Sequence, residues 1–560
     1  MSLLDKAKLV VTPTAWAKGI LYSVKPNTTD GDFDFIQTGS SYRTNSSGLL
    51  EYLPKNRIVE SNTFTTTWSA TNLTLTSGQA DRSGGTDAWI FSKTGASARI
   101  QQNVNDRNSG FQTVSVYAKA GTLDFLYLQL NLSTTRGAYF DLSSGTVGSV
   151  GANLVSAAIT AAGNGFYRCE VRFNANLTNV RVSLADVDGG FSNSNTGNIY
   201  VQDVQLENGS TAGTYVAVTN RQNYPVINYE NNVGHFLLEK ASLNLYSYSD
   251  SLETNWSASG TNPPTLTAKQ FTSPDGRTNA SRLEFPNTAT ASALQQGFTH
   301  LNNFRHAITV YAKSNTGSNQ TFRLFGDDAS ASAISSVFTA TNDWQRFTFY
   351  FTATSTGTKQ SGIYHDAGSS SDLQIFGAMV ERGSTSVNFS ATTYIPTGNQ
   401  TKSRANGRAH DAGVGASGIF NDSEGVLYAE VGTDHDQSFR SIAISDGSLS
   451  NCVRIQFSTT LNQVIANVRA ATATSMNSTH SLTDASAFNK IAISYKANDF
   501  KLYVNGTLVA TDTSGTTPTG LDRVSFANFN NSNNFQGRCK MLAVFDEQLT
   551  TDELECLTTP

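Results

Sequence analysis

Thr113-Val114-Ser115-Val116-Tyr117-Ala118-Lys119 alternates small polar side chains with apolar or aromatic ones. That two-residue period predicts a strand with one buried face. The pattern continues through Leu123 to Leu132, Gly137 to Leu142, Phe166 to Phe173 and Ile199 to Leu206, with Gly, Ser and Asn in the intervals. Many short alternating runs joined by such residues predict an antiparallel sandwich. Further strands are expected at Val426 to Val431, Arg440 to Ser445, Val453 to Phe457, Gln463 to Val468 and Lys490 to Tyr495. Phe500 to Ala510 alternates on both sides of Asn505-Gly506. Asn-Gly at that place predicts a type I′ hairpin, whose two turn residues both need positive φ. Thr550-Thr551-Asp552-Glu553 reads as a capping box that opens a short helix through Leu554 and Leu557.

Much of the pattern is written twice. Asn56-Arg57-Ile58-Val59-Glu60-Ser61 with Trp68-Ser69-Ala70 returns as Asn244-Leu245-Tyr246-Ser247-Tyr248-Ser249 with Trp256-Ser257-Ala258. Thr113 to Lys119 returns as Ala307 to Lys313, and Gln205-Leu206-Glu207 as Met379-Val380-Glu381. The offset drifts from 188 to 194 to 174, which places insertions between strands. Trp344 to Phe351 stands where Phe166-Tyr167-Arg168 stood.

These signals divide the chain into a head at 1–55, a first jelly-roll module at 56–220, a connector at 221–240, a second module at 241–400 and a distinct sandwich at 401–560. The fold class is all-β: tandem antiparallel β-sandwiches with a small N-terminal anchoring segment. Leu3 to Val11 suits a short helix or a strand equally, and Leu21 to Pro26 and Phe33 to Phe35 read as short strands. So small a head cannot bury much surface alone and is expected to pack on a neighbour or partner. The connector, Tyr224-Pro225-Val226-Ile227 to Phe236-Leu237-Leu238-Glu239, is similar in character to Gly48-Leu49-Leu50-Glu51-Tyr52-Leu53-Pro54 before the first module.

Composition narrows the function classes. Charged residues make up 15% of the chain and aromatics 10%, too apolar and aromatic for disorder. The net charge of −5 and the absence of Lys/Arg runs argue against a nucleic-acid or anionic-membrane partner. No run approaches a membrane span, and Met1 to Val11 lacks the apolar core of a signal peptide. No membrane insertion is expected. Cys169, Cys452, Cys539 and Cys556 are too scattered for a disulfide framework; buried free thiols are expected, with Cys539–Cys556 as the alternative.

Arg43 to Asn56, including Leu49-Leu50-Glu51-Tyr52-Leu53-Pro54, resembles the head of a class of bacteriophage virion structural proteins. Leu3-Leu4-Asp5-Lys6-Ala7 with Leu21-Tyr22-Ser23-Val24 resembles segments from phages of Bacteroidetes-type hosts. The module openings, Asn56 to Trp68 and Asn244 to Trp256, resemble carbohydrate-binding-like jelly rolls of phage fibres and tail proteins. Asn489 to Tyr495, Lys501 to Gly506 and Met541 to Thr550 resemble the concanavalin A-like (laminin G-like) lectin/glucanase superfamily. The resemblance implies a trimeric fibre or tail appendage, assembled in the host cytoplasm, whose residues 1–55 contact other virion proteins while its modules meet a host-surface glycan.

Candidate chemistry is sparse. Glucanases of that superfamily alternate two glutamates and an aspartate along one strand, which sets carboxylates on one face. This chain has no Glu-x-Asp; Glu424 and Glu430 lack the acid between them. Asp434-His435-Asp436 has the donor types for a divalent ion but reads as a polar loop. Gly/Ser-rich Asp366 to Ser371 lacks the Lys of a phosphate loop, and no nucleophile elbow marks a Ser/His/Asp triad. Trp68, Trp89, Trp256 and Trp344 are candidate sugar platforms, but the recurrence of Trp68 and Trp256 favours core packing. No catalytic, metal or cofactor-binding residue and no cofactor is expected, and no ligand-binding residue can be named. The sequence therefore reads as a non-enzymatic virion structural protein for host-glycan adhesion. The alternatives are a capsid-attached head fibre or decoration protein, and a carbohydrate-active enzyme with appended binding modules. A secreted adhesin is disfavoured by the missing export signal.

Overall fold

The computed structural model describes residues 3–14, 16–17, 20–37, 41–53, 56–106, 111–131, 133–174, 177–208, 212–218, 225–330, 333–383, 390–433, 438–528 and 532–560. The first module faces two six-stranded antiparallel sheets against each other. One runs, in spatial order, Thr146–Val150, Gly137–Asp141, Phe125–Leu130, Leu177–Ala185, Arg99–Asp106 and Ser69–Thr71. The other runs Ser156–Ala161, Tyr167–Asn174, Phe111–Ala120, Gly197–Asn208, Ala88–Lys93 and Leu73–Gln79. Between them lie Val114, Val116, Leu126, Leu128, Val180, Val182, Val201 and Leu206, all fully buried. Each such side chain removed from water stabilises by about 1.5–3 kcal/mol.

The second module repeats this order with one strand fewer in each sheet. Its sheets run Ser257–Ser259, Ser292–His300, Gly357–His365, Gln320–Phe325, Phe338–Ala340, and Thr265–Thr272, Thr278–Phe285, Ser371–Arg382, Arg305–Ser314, Gln345–Thr352. Even a bulge recurs. The register slips between Ser115 and Tyr117 in one module and between Thr309 and Tyr311 in the other. Opposite the slip stands a left-handed residue, Asp203 (φ 59°) or Gly377 (φ 64°). Strands Thr146–Val150 and Ser156–Ala161 have no counterpart among the described residues of the second module. These two extra strands, one at the edge of each sheet, account for most of the fall in offset between the second and third repeated motifs.

The C-terminal region forms a third sandwich. A five-stranded sheet (Ala473–Ser481, Gln463–Ala470, Cys452–Phe457, Arg440–Ser445, Arg523–Ser525) faces a larger one built on Gly537–Phe545, Glu424–Thr433, Asn489–Lys496, Phe500–Val504 and Thr507–Asp512. Asn505 (φ 48°) and Gly506 (φ 82°) make the expected two-residue turn. The capping box is present in helix Thr551–Thr558.

The head and connector build onto this sandwich. Strand Gly537–Phe545 would expose an edge on the side away from Glu424–Thr433. Instead Val233–Leu238 pairs with its first residues, Phe236 opposite Cys539. Leu9–Val11 pairs with its last, Leu9 opposite Val544. Two distant segments thus cover one edge that would otherwise invite association. Leu9, Val11, Leu21, Phe33, Phe35, Phe236 and Leu238 share one core with Val431, Ile444, Ile493 and Val544. Leu3 to Val11 is both of the readings its pattern allowed: a helix at Leu3–Lys6, then a strand at Leu9–Val11. Leu21 to Pro26 is not a strand; only Ile20–Leu21 pairs, and Lys25 makes an isolated bridge to Val10. The hairpin Ser41–Thr44 and Leu50–Leu53 reaches further and seats Tyr42 against Tyr394 and Phe376 of the second module. The Tyr42 hydroxyl donates to Asp275 (3.0 Å) and accepts from Arg277 (2.8 Å).

Candidate functional site

The duplicated residues form a structural clasp. Asn56, fully buried, donates to the carbonyls of Val204 (3.2 Å) and Val216 (2.9 Å) and accepts from the amides of Ile58 (3.0 Å) and Leu206 (3.2 Å). Asn244 does the same with Ala378, Ile395, Tyr246 and Val380. Ser61 meets the Tyr215 hydroxyl at 2.6 Å, and Ser249 meets Tyr394 at the same distance. Arg168 joins Ser115 to the carbonyl of Gly213, as Arg346 joins Thr309 to that of Thr392. The Asn and Ser groups tie a module's first segment to its last strand and tail, and the Arg groups tie strands Phe111–Ala120 and Arg305–Ser314 to the same tail. The tryptophans belong to the same framework. Trp68 is buried and donates to the Glu60 carbonyl (3.0 Å), while half-buried Trp256 packs on Tyr246 at 4.7 Å. Trp89 and Trp344, also half-buried, donate to Asn62 and Thr272.

The modules differ where the framework leaves them free, on the outer face of the sheet containing Gly357–His365 and its counterpart Leu177–Ala185. In the first module Arg181 stands opposite Gln101. Its guanidinium donates to Gln101 (2.9 Å) and Gln129 (3.3 Å) and fills the middle of the face. Beside it Asn179 bonds Asn103, and Tyr127 stacks on Tyr139 at 4.1 Å.

In the second module the residue opposite Gln295 is Gly362. A Cβ there would lie 2.2 Å from the Leu294 carbonyl oxygen, so the close strand approach demands glycine. Where the first module carries the Arg181 side chain the second has none, and beside this position the face holds a hollow of about 190 Å³. Strand alternation puts Gln360 and Tyr364 on either side of Gly362 on this face, since Ser361 and Ile363 point into the core. Gln295, Phe325, Ala293 and Asp328 complete the wall. The Tyr364 ring leans on Phe325 at 5.9 Å and stays half-exposed. Arg323 and Asp366 pair at 2.6 Å nearby.

Asp328 closes one end from a tight turn in which both Asp327 (φ 49°) and Asp328 (φ 56°) are left-handed. Its carboxylate accepts from the Gln360 amide (2.7 Å) and pairs with Lys359 (2.9 Å). Partial burial opposes ionisation, but these bonds hold its pKa below the ordinary aspartate value. The Gln360 side-chain oxygen is buried with no hydrogen-bond partner. An aromatic face, two amides and a carboxylate around a one-ring hollow can stack an apolar sugar face and bond its hydroxyls.

The other sequence candidates are not assembled into a site. Glu424 pairs with Lys496 (3.1 Å) and Glu430 with Lys540 (3.5 Å). Asp434-His435-Asp436 lies outside the described residues. Among the described residues no three His, Cys, Asp or Glu side chains are placed to hold a metal ion. Cys169, Cys452 and Cys539 are buried free thiols and Cys556 is an exposed one. Nothing in the sequence marked the hollow, because Gly362 gains meaning only from the register that sets it opposite Gln295.

No curated protein matches the chain. Among solved structures, a Ruminococcus gnavus sialidase CBM40 bound to α2,3-sialyllactose is 19% identical over 27% of this chain and 93% of that one, with a TM-score of 0.23. A tandem CBM22 pair from Paenibacillus barcinonensis Xyn10C is 11% identical over 57% of this chain and 94% of its own length, at 0.21. A Trypanosoma rangeli sialidase in complex with sialic acid is 9% identical over 93% and 97%, also at 0.21. At such scores the likeness carries no functional weight. The family profile described as the concanavalin A-like lectin/glucanases superfamily matches residues 422–555. The C-terminal sandwich is thus a concanavalin A-like, laminin G-like domain, carried behind two mutually similar jelly-roll modules.

Proposed function

We propose that this chain is a non-enzymatic adhesion protein that binds a neutral glycan in the hollow beside Gly362. The observation that carries the reading is the contrast between equivalent faces: Arg181 fills one, and Gly362 leaves the other open beside Tyr364. A pyranose ring would stack on Tyr364, with Gln295 and Gln360 bonding its hydroxyls. Asp328 accepts from hydroxyl donors and repels carboxylated sugars, so the preferred ligand is neutral. We place the protein on a virion, as a fibre or tail appendage, on the resemblance of residues 43–56 and of the module openings. A head fibre or decoration protein with an architectural role has one observation in its favour. Strands Leu9–Val11, Ile20–Leu21 and Phe33–Ile36 fold into the C-terminal body instead of reaching outward.

A glycan array with the full chain and Tyr364→Ala tests the binding role. Neutral oligosaccharides should be retained by the native chain and lost by the variant. Retention of acidic glycans alone, or equal binding by both proteins, would overturn the assignment. Release of reducing ends from a bound polysaccharide would overturn its non-enzymatic part.

A further inference from the structure

Joined to the hollow by the Asp327-Asp328 turn lies a polar cluster that the binding role does not use. His300 and His306 are fully buried, and their rings stack at 5.2 Å between Phe298 and Phe351. All four ring nitrogens lack a hydrogen-bond partner. The one carboxylate facing them at contact range is Asp327, whose unpartnered oxygen stands 3.6 Å from His300 Nδ1. The other Asp327 oxygen accepts from the Thr354 amide (3.0 Å) and hydroxyl. Asp327 is followed directly by Asp328, the acidic wall of the hollow, within the same left-handed turn. Strand Ser292–His300 supplies Gln295 to the hollow at one end and His300 to the cluster at the other.

We propose that His300, His306 and Asp327 form a proton-operated latch that keeps the hollow in shape at neutral pH and loosens it in acid, releasing the glycan. The release half rests on the glycan-binding reading of the hollow; the loosening half does not. A proton on His300 creates a buried cation whose nearest acceptor is the idle oxygen of Asp327. Closing that 3.6 Å gap draws Asp327 away from Thr354 and pulls on the turn that carries Asp328. A second proton on His306 sets two like charges against each other in a site without water-facing atoms, which forces strands Ser292–His300 and Arg305–Ser314 to shift. The other charged groups around His300 are Asp328, which favours its cation, and Lys359, which opposes it. Around His306, Arg382 opposes protonation and Asp327 favours it. Burial dominates both balances and lowers each imidazole to about 4, so the latch stays neutral at pH 7 and responds in moderate acid.

Hydrogen–deuterium exchange of the full chain at pH 7.5 and 4.5, corrected for intrinsic exchange rates, tests the latch. Peptides spanning 322–330 and 354–362 should lose protection at least tenfold at pH 4.5, while strand 125–130 of the first module keeps its protection. In the double variant His300→Phe/His306→Phe, whose new rings suit the aromatic surroundings, that loss should vanish. Asp327→Asn, which leaves both imidazoles in place, should displace the response to lower pH and serves if the double variant does not fold. Equal protection at both pH values in the native chain, or a loss that persists in the double variant, would overturn the proposal. Binding of neutral gluco-, xylo- and galacto-oligosaccharides at the same two pH values forms the second arm. If one binds at pH 7.5, its affinity should fall at least tenfold at pH 4.5 in the native chain only; an unchanged affinity overturns the release half. If none binds at pH 7.5, the glycan reading fails, and the exchange result still decides the latch.

Discussion

Arg181 and Gly362 occupy the same place on the same strand of two copies of one module, Arg181 opposite Gln101 and Gly362 opposite Gln295. A guanidinium seals one face, and the absence of any side chain opens the other. Duplication kept the framework and let this position diverge. Sealing the second module in the manner of the first should therefore abolish its site. Gln295→Arg places a long cation at the hollow beside Gly362, and binding of a neutral oligosaccharide should weaken at least tenfold, about 1.4 kcal/mol, in a calorimetric titration. Gln295 is half-exposed, so the melting temperature should hardly move.

Asn56 and Asn244 each satisfy four backbone groups, all buried except the partly buried Val216 carbonyl. Asn56→Ala or Asn244→Ala leaves those donors and acceptors unpaired. We expect roughly 3 kcal/mol of destabilisation in the affected module, read by denaturant titration. Trp89→Phe, which gives up a single indole bond at a half-buried position, should cost clearly less.

Removing residues 1–11 uncovers the edge of strand Gly537–Phe545 at Leu542 to Val544 and deletes the Lys6–Glu553 ion pair (2.6 Å). The pair is partly exposed and contributes little alone. The bare edge matters more. Light scattering should show self-association of the truncated chain, with the two jelly-roll modules still folded by circular dichroism.

The buried imidazoles also set a pH dependence of stability. The unfolded chain binds a proton at each near the ordinary value of about 6.5. The folded chain resists until about 4 at His300 and His306, and at His235 in the C-terminal body. Between those values the unfolded state holds more protons, so stability rises with pH and is lost as pH falls through that window. Calorimetric melting should move down between pH 7 and 5, and less so for the second module in His300→Phe/His306→Phe.

Sequence alone carried what is local or repeated. Asn505-Gly506, the Thr550 capping box and the alternation of Thr113 to Lys119 each state their structure within a few residues, and the duplication foretold two modules of one topology. Asn56, Ser61 and Arg168 of the clasp recur in the sequence as Asn244, Ser249 and Arg346, but neither their bonding nor the Tyr215 and Tyr394 that complete it can be read there. What stayed hidden depends on pairing across the chain. Leu9 finds Val544 across most of the chain's length, and a three-residue strand has no period to read. Tyr364, Gln360 and Gln295 are unremarkable residue types until register surrounds Gly362 with them. His300 and His306 show no metal-ligand spacing, and only folding brings Asp327 beside them.

A crystal structure of the full chain with a neutral oligosaccharide that it binds decides whether the hollow is the glycan site. A pyranose should stack on Tyr364 beside Gly362, with hydroxyls bonded to Gln295, Gln360 or Asp328, and no sugar should lie over Arg181. Sugar bound on the first module or in the C-terminal sandwich, with the Gly362 hollow empty, would contradict that assignment.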